Sequence, residues 1–364
     1  MKIAIICNDS FGIINYRMNL ALALKSAGHQ VIFITPNDEY FEVLRGYGFE
    51  LHSYQLSRLS TNPITELRAI ASIFTLLKQL KPNMLLSFTI KANLYGGLCA
   101  RLLHIPNIPN ITGMGSGLAS PGLKTLAIKM LYRFALAKSK LIFCQNPDDK
   151  QQLQADNLLN AHTPIQLLPG SGVDLHQFTF TPHNPVKKRY IFVARILEEK
   201  GIIQFCEAAK QLHANNREFI VLGRADEREP ETLKALHSAH QNGFVNYKGL
   251  VNNVHEEVGI AFASVLPSRY REGTPRSLLE SLAVGTPIIT TNNIGCKEAL
   301  VEQENGFSCD AQSTASLIEA IHQLEKLTPT KYHTMCKTAR TIAEEKFDEH
   351  IVLNHYLTAV KPSI

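Results

Sequence analysis

The sequence predicts an α/β protein built from two Rossmann-like domains. Short apolar runs alternate with longer segments of helical pattern along most of its 364 residues, which is typical of parallel sheets with crossover helices. The alternation breaks at the Pro-Gly-Ser-Gly stretch 169–172 and at the polar stretch 181–188, and then restarts. With 45% hydrophobic residues, the chain is long enough to form two cores.

Each predicted strand is a short apolar run bounded by turn residues. In the first half these runs are 2–8, 30–35, 84–88, 107–112, 141–144 and 165–168. In the second half they are 189–193, 218–222, 245–248, 260–266 and 287–290. We therefore expect one domain at 1–169 and a second at 170–347.

Bulk properties favour a soluble or peripheral protein of a reducing compartment. Seven cysteines are scattered without a Cys-x-x-Cys pair, which argues against disulfides and structural zinc. The first apolar run is too short for a signal peptide, and no apolar stretch has the length of a membrane span. The net charge of +5 favours anionic partners, and the chain contains no nucleic-acid-binding motif, so we expect a lipid surface rather than nucleic acid.

The most informative segment is 269–287, where a helix start is flanked by two carboxylates. Thr274 is a good N-cap and Pro275 suits the first helical position, so the N–H groups of Arg276, Ser277 and Leu278 should form an anion site.

Glu272 and Glu280, with seven residues between them, flank this helix start and can face a common cleft. Carboxylates accept hydrogen bonds from a ribose diol or a hexose edge. The alternative is a capped surface helix with solvated glutamates.

A second cluster follows the strand predicted at 189–193. Arg195 stands at the strand end and Lys200 follows after a short turn. Ligands of open α/β sheets bind at the carboxyl ends of strands, so these two cations suit a diphosphate. The alternative is an ordinary solvated charge cluster.

Together these elements resemble glycosyltransferase family 4, which carries a strand-end Arg, a Lys about five residues later, and Glu-x7-Glu. The stretches 168–178, 222–224 and 247–250 also resemble the family. The resemblance implies the GT-B architecture, two Rossmann-like domains facing across a cleft, with a last segment at 348–364 completing the first domain.

By resemblance, the activity is retaining transfer of a hexose or N-acetylhexosamine from a UDP-sugar. Arg195, Lys200 and Glu272 are the implied catalytic residues. The implied donor-binding residues are Gly12, Gly223, Leu250, Gly273, Thr274, Pro275, Arg276, Ser277 and Glu280. The chain has no Asp-x-Asp motif, so we expect no metal requirement and no cofactor.

The first domain resembles the bacterial branch that extends undecaprenyl-diphosphate-linked sugars in O-antigen, capsule or glycoprotein assembly. The stretches 57–63, 87–96 and 110–117 carry this resemblance. The residues of this domain that we expect to contact the acceptor or the membrane include Arg17, Lys91 and Asn93. The segment Thr-Gly-Met-Gly at 112–115 lacks the histidine that much of the family has there.

A basic apolar stretch at 124–140 predicts a helix on anionic lipid. Lys124, Lys129 and Arg133 are its tentative membrane contacts. We expect peripheral association with the inner face of the cytoplasmic membrane. The alternative is a mostly buried amphipathic helix with a solvated basic edge.

Three other functions stay open on the sequence. Gly113-x-Gly115-x-Gly117 allows a dinucleotide-dependent oxidoreductase, although its spacing differs from Gly-x-Gly-x-x-Gly. A catalytically inactive scaffold of the same fold is the second, and transfer to a soluble or other lipid acceptor is the third.

Overall fold

A computed structural model of the chain describes residues 1–56, 62–114, 123–160, 162–181, 187–213 and 216–361. The chain divides into two compact units, Met1–Leu168 with Val352–Ile364, and Pro169–Ile351. This division lies within a few residues of the boundaries expected from the sequence.

The first unit is built on a parallel sheet of seven described strands in the order β3-β2-β1-β4-β5-β6-β7. Its strands are β1 (Lys2–Ile6), β2 (Gln30–Pro36), β3 (Glu50–Tyr54), β4 (Met84–Phe88), β5 (Asn107–Ile111), β6 (Ile142–Cys144) and β7 (Ile165–Leu167). Its helices are α1 (Ser10–Tyr16), α2 (Met18–Ser26), α3 (Phe41–Arg45), α4 (Pro63–Leu80), α5 (Ile90–Leu102), α6 (Leu123–Leu136) and α7 (Pro147–Ala155).

Helices cover both faces of this sheet, so its central strands are apolar throughout. In β1, Ala4 and Ile6 face one core, and Ile3 and Ile5 face the other. The first of these cores contains residues of α4, α5 and α6, and the second contains residues of α2. A parallel sheet covered on both sides therefore explains the unbroken apolar runs of the sequence.

The second unit has a parallel sheet of six described strands in the order β10-β9-β8-β11-β12-β13. Its strands are β8 (Lys188–Val193), β9 (Arg217–Leu222), β10 (Asn246–Gly249), β11 (Ala263–Leu266), β12 (Ile288–Thr291) and β13 (Gly306–Cys309). Its helices are α8 (Ile202–Gln211), α9 (Pro230–Gln241), α10 (Val254–Gly259), α11 (Arg276–Val284), α12 (Thr314–Glu325) and α13 (Pro329–Ile342). The last helix, α14 (Glu349–Val360), buries Val352, Tyr356 and Val360 in the core of the first unit.

Two strands were not predicted from the sequence, β3 and β13. In β3, Glu50 and Ser53 are exposed, so this edge strand lacks an apolar run. Strand β13 spans four residues and begins with Gly306, where a Cβ would lie 1.9 Å from the carbonyl oxygen of Ile288. Short edge strands give a weak pattern because one of their sides has no partner strand.

All seven cysteines are free and buried in the structure. Within the described ranges, no helix is long and apolar enough to cross a membrane.

A buried ionic cluster stabilises the second unit at the start of β8 and β9. The Glu325 carboxylate accepts hydrogen bonds from Arg217 Nε and Nη2 at 2.8 Å and from Tyr190 Oη at 2.7 Å, while its side chain is 8% exposed. Burial alone would raise the pKa of Glu325, but the hydrogen bonds from Arg217 and Tyr190 and the charge of Lys188 lower it to about 2.

Replacing Glu325 should therefore weaken the fold in a pH-dependent way. A depressed folded-state pKa contributes stability above the unfolded pKa, and this contribution is lost as pH falls from the ordinary value of 4.5 to about 2. Glu325→Gln should lower the free energy of unfolding at pH 7 by about 3 kcal/mol and remove most of its dependence on acid. Urea unfolding at neutral and acid pH measures this, with the exposed Glu319→Gln on the same helix as control. An equal loss of unfolding free energy at neutral and at acid pH would contradict the lowered pKa of Glu325.

Candidate active site

The sheet of the second unit has one point where successive connections leave in opposite directions. From β8 the chain moves outward to β9 and β10, whereas from β11 it moves outward to β12 and β13. Because β8 and β11 are neighbours, the loops at their carboxyl ends separate and leave a crevice. Residues in these loops are thus placed where open α/β sheets bind ligands.

Lys200 and Glu272 meet at this point. Lys200 ends the 3₁₀ turn Glu198–Lys200 after β8, and Glu272 lies in the loop after β11. Their side chains are 8% and 19% exposed, and Lys200 Nζ forms an ion pair with Glu272 Oε1. The ring centroid of Tyr270 lies 5.1 Å from the same nitrogen. The structure therefore joins two residues that lie far apart in sequence and were both predicted as catalytic.

Close backbone packing fixes the position of this pair. Gly201 follows Lys200 at φ 85°, and a Cβ there would lie 2.3 Å from the carbonyl oxygen of Pro267. Gly295 has φ 90°, and a Cβ there would lie 2.3 Å from the carbonyl oxygen of Gly273. Only glycine fits at both positions, so the loops after β8, β11 and β12 hold one another.

Two side chains, one at the end of β12 and one just after it, also support the loop that carries Glu272. Thr291 Oγ1 donates to the carbonyl of Ser268 at 2.6 Å, and Asn293 Nδ2 donates to that of Tyr270 at 3.0 Å. The sequence reasoning missed Thr291, Asn293 and Gly295. The pattern that could have identified them is the mostly polar run that ends in glycine directly after the strand predicted at 287–290.

The helix start differs by one residue from the prediction. Pro275 is the N-cap, α11 begins at Arg276, and no side chain caps it. Thr274, the predicted N-cap, lies one residue before the cap position and is buried in the preceding loop. The N–H of Leu278, predicted to be unpaired, donates to the carbonyl of Pro275 at 3.1 Å. The N–H groups of Arg276 and Ser277 remain outside the hydrogen bonding of the helix itself.

Glu280 is held in place by the helix that carries it. Its Oε1 accepts a hydrogen bond from Arg276 Nε at 3.0 Å, and the side chains are 16% and 14% exposed. Burial raises the pKa of the Glu280 carboxyl, against the charge and hydrogen bond of Arg276. A carboxylate has further lone pairs, so this bond leaves capacity to accept hydroxyl hydrogens.

Arg195 and Leu250 are exposed at the same edge of the sheet. Arg195 follows β8, and its guanidinium makes no hydrogen bond or ion pair with any residue that the structure describes. The hydrogen bond from Arg228 lowers the pKa of Asp226, and the nearby charge of Arg195 lowers it further. Leu250 directly follows β10 and is 52% exposed. The edge thus offers a cation and an apolar surface.

Gly223 has a structural reason to be glycine. At φ 147°, a Cβ there would lie 1.8 Å from the carbonyl oxygen of Ala194. Its N–H donates to Gly249 at 2.9 Å, and Ile196 N–H donates to Arg224 at 2.9 Å. The close approach at Gly223 is therefore to a neighbouring loop, which keeps Arg195 in place.

In the first unit, Gly12 and Arg17 are placed differently from the prediction. Gly12 lies within the first turn of α1, and its N–H donates to the N-cap Asp9 Oδ1 at 2.6 Å, so this N–H is already used. Arg17 is the N-cap of α2, is 5% exposed, and its Cζ lies 4.1 Å from the ring centroid of Phe88. Such a buried guanidinium stabilises the core and cannot reach a lipid surface in this conformation.

Lys91 and Asn93 lie in the first turn of α5, after β4. Lys91 Nζ pairs with Glu66 Oε1 at 2.7 Å, and Tyr95 also donates to the Glu66 carboxylate. Asn93 is 1% exposed and donates to the carbonyl of Asn110 at 2.8 Å. Lys91 thus remains at the carboxyl edge of the sheet, whereas Asn93 is part of the interior.

The predicted membrane contacts have unequal exposure. Lys124 lies in α6, and its side chain is outside the described part of the chain. Lys129 pairs with Asp156 Oδ1 at 2.7 Å and is 31% exposed, which reduces its availability to lipid. Arg133 is exposed.

Some predictions lie outside the described residues. These are the stretch 57–61 and most of the glycine motif, since 115–122 is not described whereas Gly113 is. Among the described side chains, no group of three or more His, Cys, Asp or Glu is placed to hold a metal ion.

Comparison with solved structures shows the fold. HepE of Anabaena, solved with UDP and glucose, superposes with a TM-score of 0.80 at 14% identity over 98% of both chains. WaaG, a glycosyltransferase involved in lipopolysaccharide biosynthesis, gives 0.75 at 16% identity over 99% of this chain and 100% of WaaG. Two family models match in sequence, glycosyl transferase 4-like over residues 2–146 and glycosyl transferases group 1 over 176–342. The chain is a glycosyltransferase of the GT-B fold.

Curated relatives of this glycosyltransferase include enzymes of lipid-linked glycan assembly. It is 28% identical to the N,N'-diacetylbacillosaminyl-diphospho-undecaprenol alpha-1,3-N-acetylgalactosaminyltransferase of Campylobacter jejuni, over 98% of this chain and 97% of that enzyme. It is 25% identical to the UDP-Gal:alpha-D-GlcNAc-diphosphoundecaprenol alpha-1,3-galactosyltransferase of Escherichia coli, over 71% of this chain and 70% of that enzyme. The family and fold predicted from the sequence are confirmed.

Proposed function

We propose that this glycosyltransferase moves a hexose or N-acetylhexosamine from a UDP-sugar to an undecaprenyl-diphosphate-linked sugar. The anomeric configuration is retained and no metal ion is required. The observation that carries the proposal is the Lys200–Glu272 pair at the sheet's switch point, with Arg195 exposed after the same strand, β8. The acceptors for which the Campylobacter jejuni and Escherichia coli relatives are named support the acceptor class.

Each group at the carboxyl edge has a role in donor binding. Arg195 forks onto diphosphate oxygens, and Lys200 acts on them as a point charge. Glu280 accepts the ribose hydroxyls, and Leu250 packs on the base through its exposed apolar side chain. Glu272 and the backbone 273–277 bind the sugar hydroxyls and the phosphate.

Charge stabilisation drives the chemistry in this proposal. The bond between the anomeric carbon and the β-phosphate oxygen breaks, and negative charge grows on the departing diphosphate. Arg195 and Lys200 stabilise that charge, and because Lys200 is buried and already oriented, little reorganisation is needed. The acceptor hydroxyl oxygen bonds to the same face of the sugar, and its proton passes to the leaving phosphate oxygen.

The test is turnover with a panel of nucleotide sugars and a short-chain polyprenyl-diphosphate-sugar acceptor, with and without EDTA. We expect release of UDP from one UDP-sugar, unaffected by EDTA, and an NMR coupling that shows the donor's anomeric configuration in the product. Activity that EDTA abolishes and a divalent cation restores would overturn metal independence. Transfer to soluble acceptors alone would favour the alternative acceptor, and binding of NAD(P) without turnover would favour the oxidoreductase.

The lipid part of the proposed acceptor lies in a membrane, so the enzyme needs a face that binds the membrane surface. Helix α6 carries such a face. Leu126, Met130 and Phe134 are 55%, 66% and 41% exposed and recur every four residues, so they share one helix face. Arg133 is exposed next to this face, and the Arg101 guanidinium lies 3.7 Å from the Phe134 ring centroid. Apolar side chains flanked by cations suit the interface of an anionic bilayer. We propose peripheral binding of the cytoplasmic membrane through this face.

Met130→Glu should lower the partition coefficient onto anionic vesicles by about tenfold or more, because it replaces an apolar side chain that contacts the bilayer with a charged one. Sedimentation with vesicles at low salt measures this. Leu22→Glu, on the exposed side of α2, is the matched control, since Leu22 is 47% exposed and the buried residues of α2 pack in the other core. Wild-type protein that stays in the supernatant, or Met130→Glu that sediments like wild type, would contradict the membrane role.

A further inference from the structure

A polar cavity of about 610 Å³ opens in the first unit, beyond the carboxyl ends of β2 and β3. This volume lies within the range of ligand sites in proteins. Its polar lining includes Asn37, Ser53, Gln55, Thr65, Arg68 and Ser72. Among the described residues no carboxylate lines it, so the cavity combines one cation with amides and hydroxyls.

Helix α4 forms one wall of the cavity, and the residues that line this wall are polar and share one helix face. Thr65, Arg68 and Ser72 stand at i, i+3 and i+7 of α4, so they share one face. Buried Ala69, Ile73 and Leu77 form the apolar face of the same helix. The three polar side chains lie outside the apolar face of α4, so packing of the helix does not require them.

Arg68 is available to an anion. It is exposed, and it makes no hydrogen bond or ion pair with any described residue. An arginine fork binds phosphate oxygens in two-point contact, and amides and hydroxyls match sugar hydroxyls and N-acetyl groups.

The cavity is tied to the switch point of the first unit. In this sheet the connections diverge between β1 and β4. Tyr54, in the cavity wall, donates from Oη to the carbonyl of Cys7 at 3.0 Å. The loop after β2 is also held, since Ser10 N–H donates to Asp38 Oδ2 at 2.8 Å. A ligand in the cavity therefore contacts Tyr54 and the loop after β2, both of which are hydrogen-bonded to residues that follow β1.

We infer that this cavity binds the sugar-diphosphate head of the acceptor, with Arg68 on the diphosphate and the amides and hydroxyls on the sugar. The inference rests on the proposed function and deepens it by naming the acceptor subsite. Arg68 and Ser72 then determine acceptor binding and do not touch the donor.

Two variants test the subsite. Arg68→Gln removes the cation, and Ser72→Phe fills the cavity. Each should raise the KM for a farnesyl-diphosphate-linked N-acetylhexosamine by about tenfold or more, because Arg68→Gln loses the charged hydrogen bonds to the diphosphate and Ser72→Phe occupies the space of the sugar. The KM for the UDP-sugar and the slow release of UDP to water should stay as in wild type. Lys78→Gln, an exposed position on the same helix, is the control, and melting temperatures monitor folding.

Direct binding separates this inference from the proposed function. Calorimetry with the same farnesyl probe should show binding to wild type and weaker binding to both variants, whether or not wild type turns over. If inorganic diphosphate competes with the probe, the cavity contacts its diphosphate. If free N-acetylhexosamine competes with the probe, the cavity contacts its sugar. Equal binding to wild type and Ser72→Phe, or no binding to wild type, would overturn the subsite. Wild type that binds the probe but transfers nothing to it would overturn the proposed acceptor alone.

Discussion

Lys200→Met is expected to lower kcat by about 100- to 1000-fold, equivalent to about 2.7–4 kcal/mol of barrier. The Lys200 ammonium is buried, fixed by Glu272 and placed at the switch point, so its removal takes a preorganised positive charge away from the leaving diphosphate. Methionine keeps the apolar stem and removes the charge alone. Steady-state kinetics with saturating UDP-sugar measure the effect.

Controls separate this loss of catalysis from a loss of folding. Lys200→Met leaves the Glu272 carboxylate without its ion-pair partner Lys200, which destabilises the loop. The double variant with Glu272→Gln removes that charge, so its melting temperature should recover while kcat stays low. Lys210→Met, exposed on α8, should behave as wild type. A kcat for Lys200→Met within about threefold of wild type, less than 1 kcal/mol, would remove Lys200 from the catalytic site.

Glu280→Ala is expected to raise the donor KM by about 10- to 100-fold, because a hydrogen bond to a charged group contributes about 1.5–3 kcal/mol. Its effect on kcat should be small, since the ribose lies away from the breaking bond. Burial raises the pKa of Glu280, so the donor KM of wild type should rise as pH falls through that raised pKa, where the carboxyl gains a proton. Glu280→Gln should lack this pH dependence.

The matched control is Glu207→Ala, an exposed glutamate on α8. UDP binding by calorimetry isolates the ribose contact from the sugar. Unchanged UDP affinity in Glu280→Ala, with a pH profile like that of wild type, would show that Glu280 serves only to hold Arg276.

The local sequence pattern predicts one location for Arg195, Lys200 and Glu272, because each follows an apolar run and parallel strands bring their carboxyl ends to one edge. In the structure Lys200 and Glu272 form an ion pair at this edge, and Arg195 follows β8. The start of α11 was misplaced by one residue because Thr274 is used in the buried loop, which only tertiary packing determines.

Residues with distant partners could not be assigned from the sequence. Lys91 pairs with Glu66, and Lys129 pairs with Asp156, each more than twenty residues away. Arg17 resembles a surface cation in the sequence, yet it packs on Phe88 inside the first unit. A charge pattern indicates which side chains are ionised, but their exposure depends on contacts that no local pattern contains.

The most direct measurement is a crystal structure of the protein with UDP. We expect UDP to bind at the carboxyl edge of the second unit's sheet, with its diphosphate in contact with Arg195 and Lys200. The ribose should contact Glu280, and the uracil should pack on Leu250. UDP bound elsewhere, or a diphosphate that contacts neither cation, would contradict the assignment of the donor site and the mechanism derived from it.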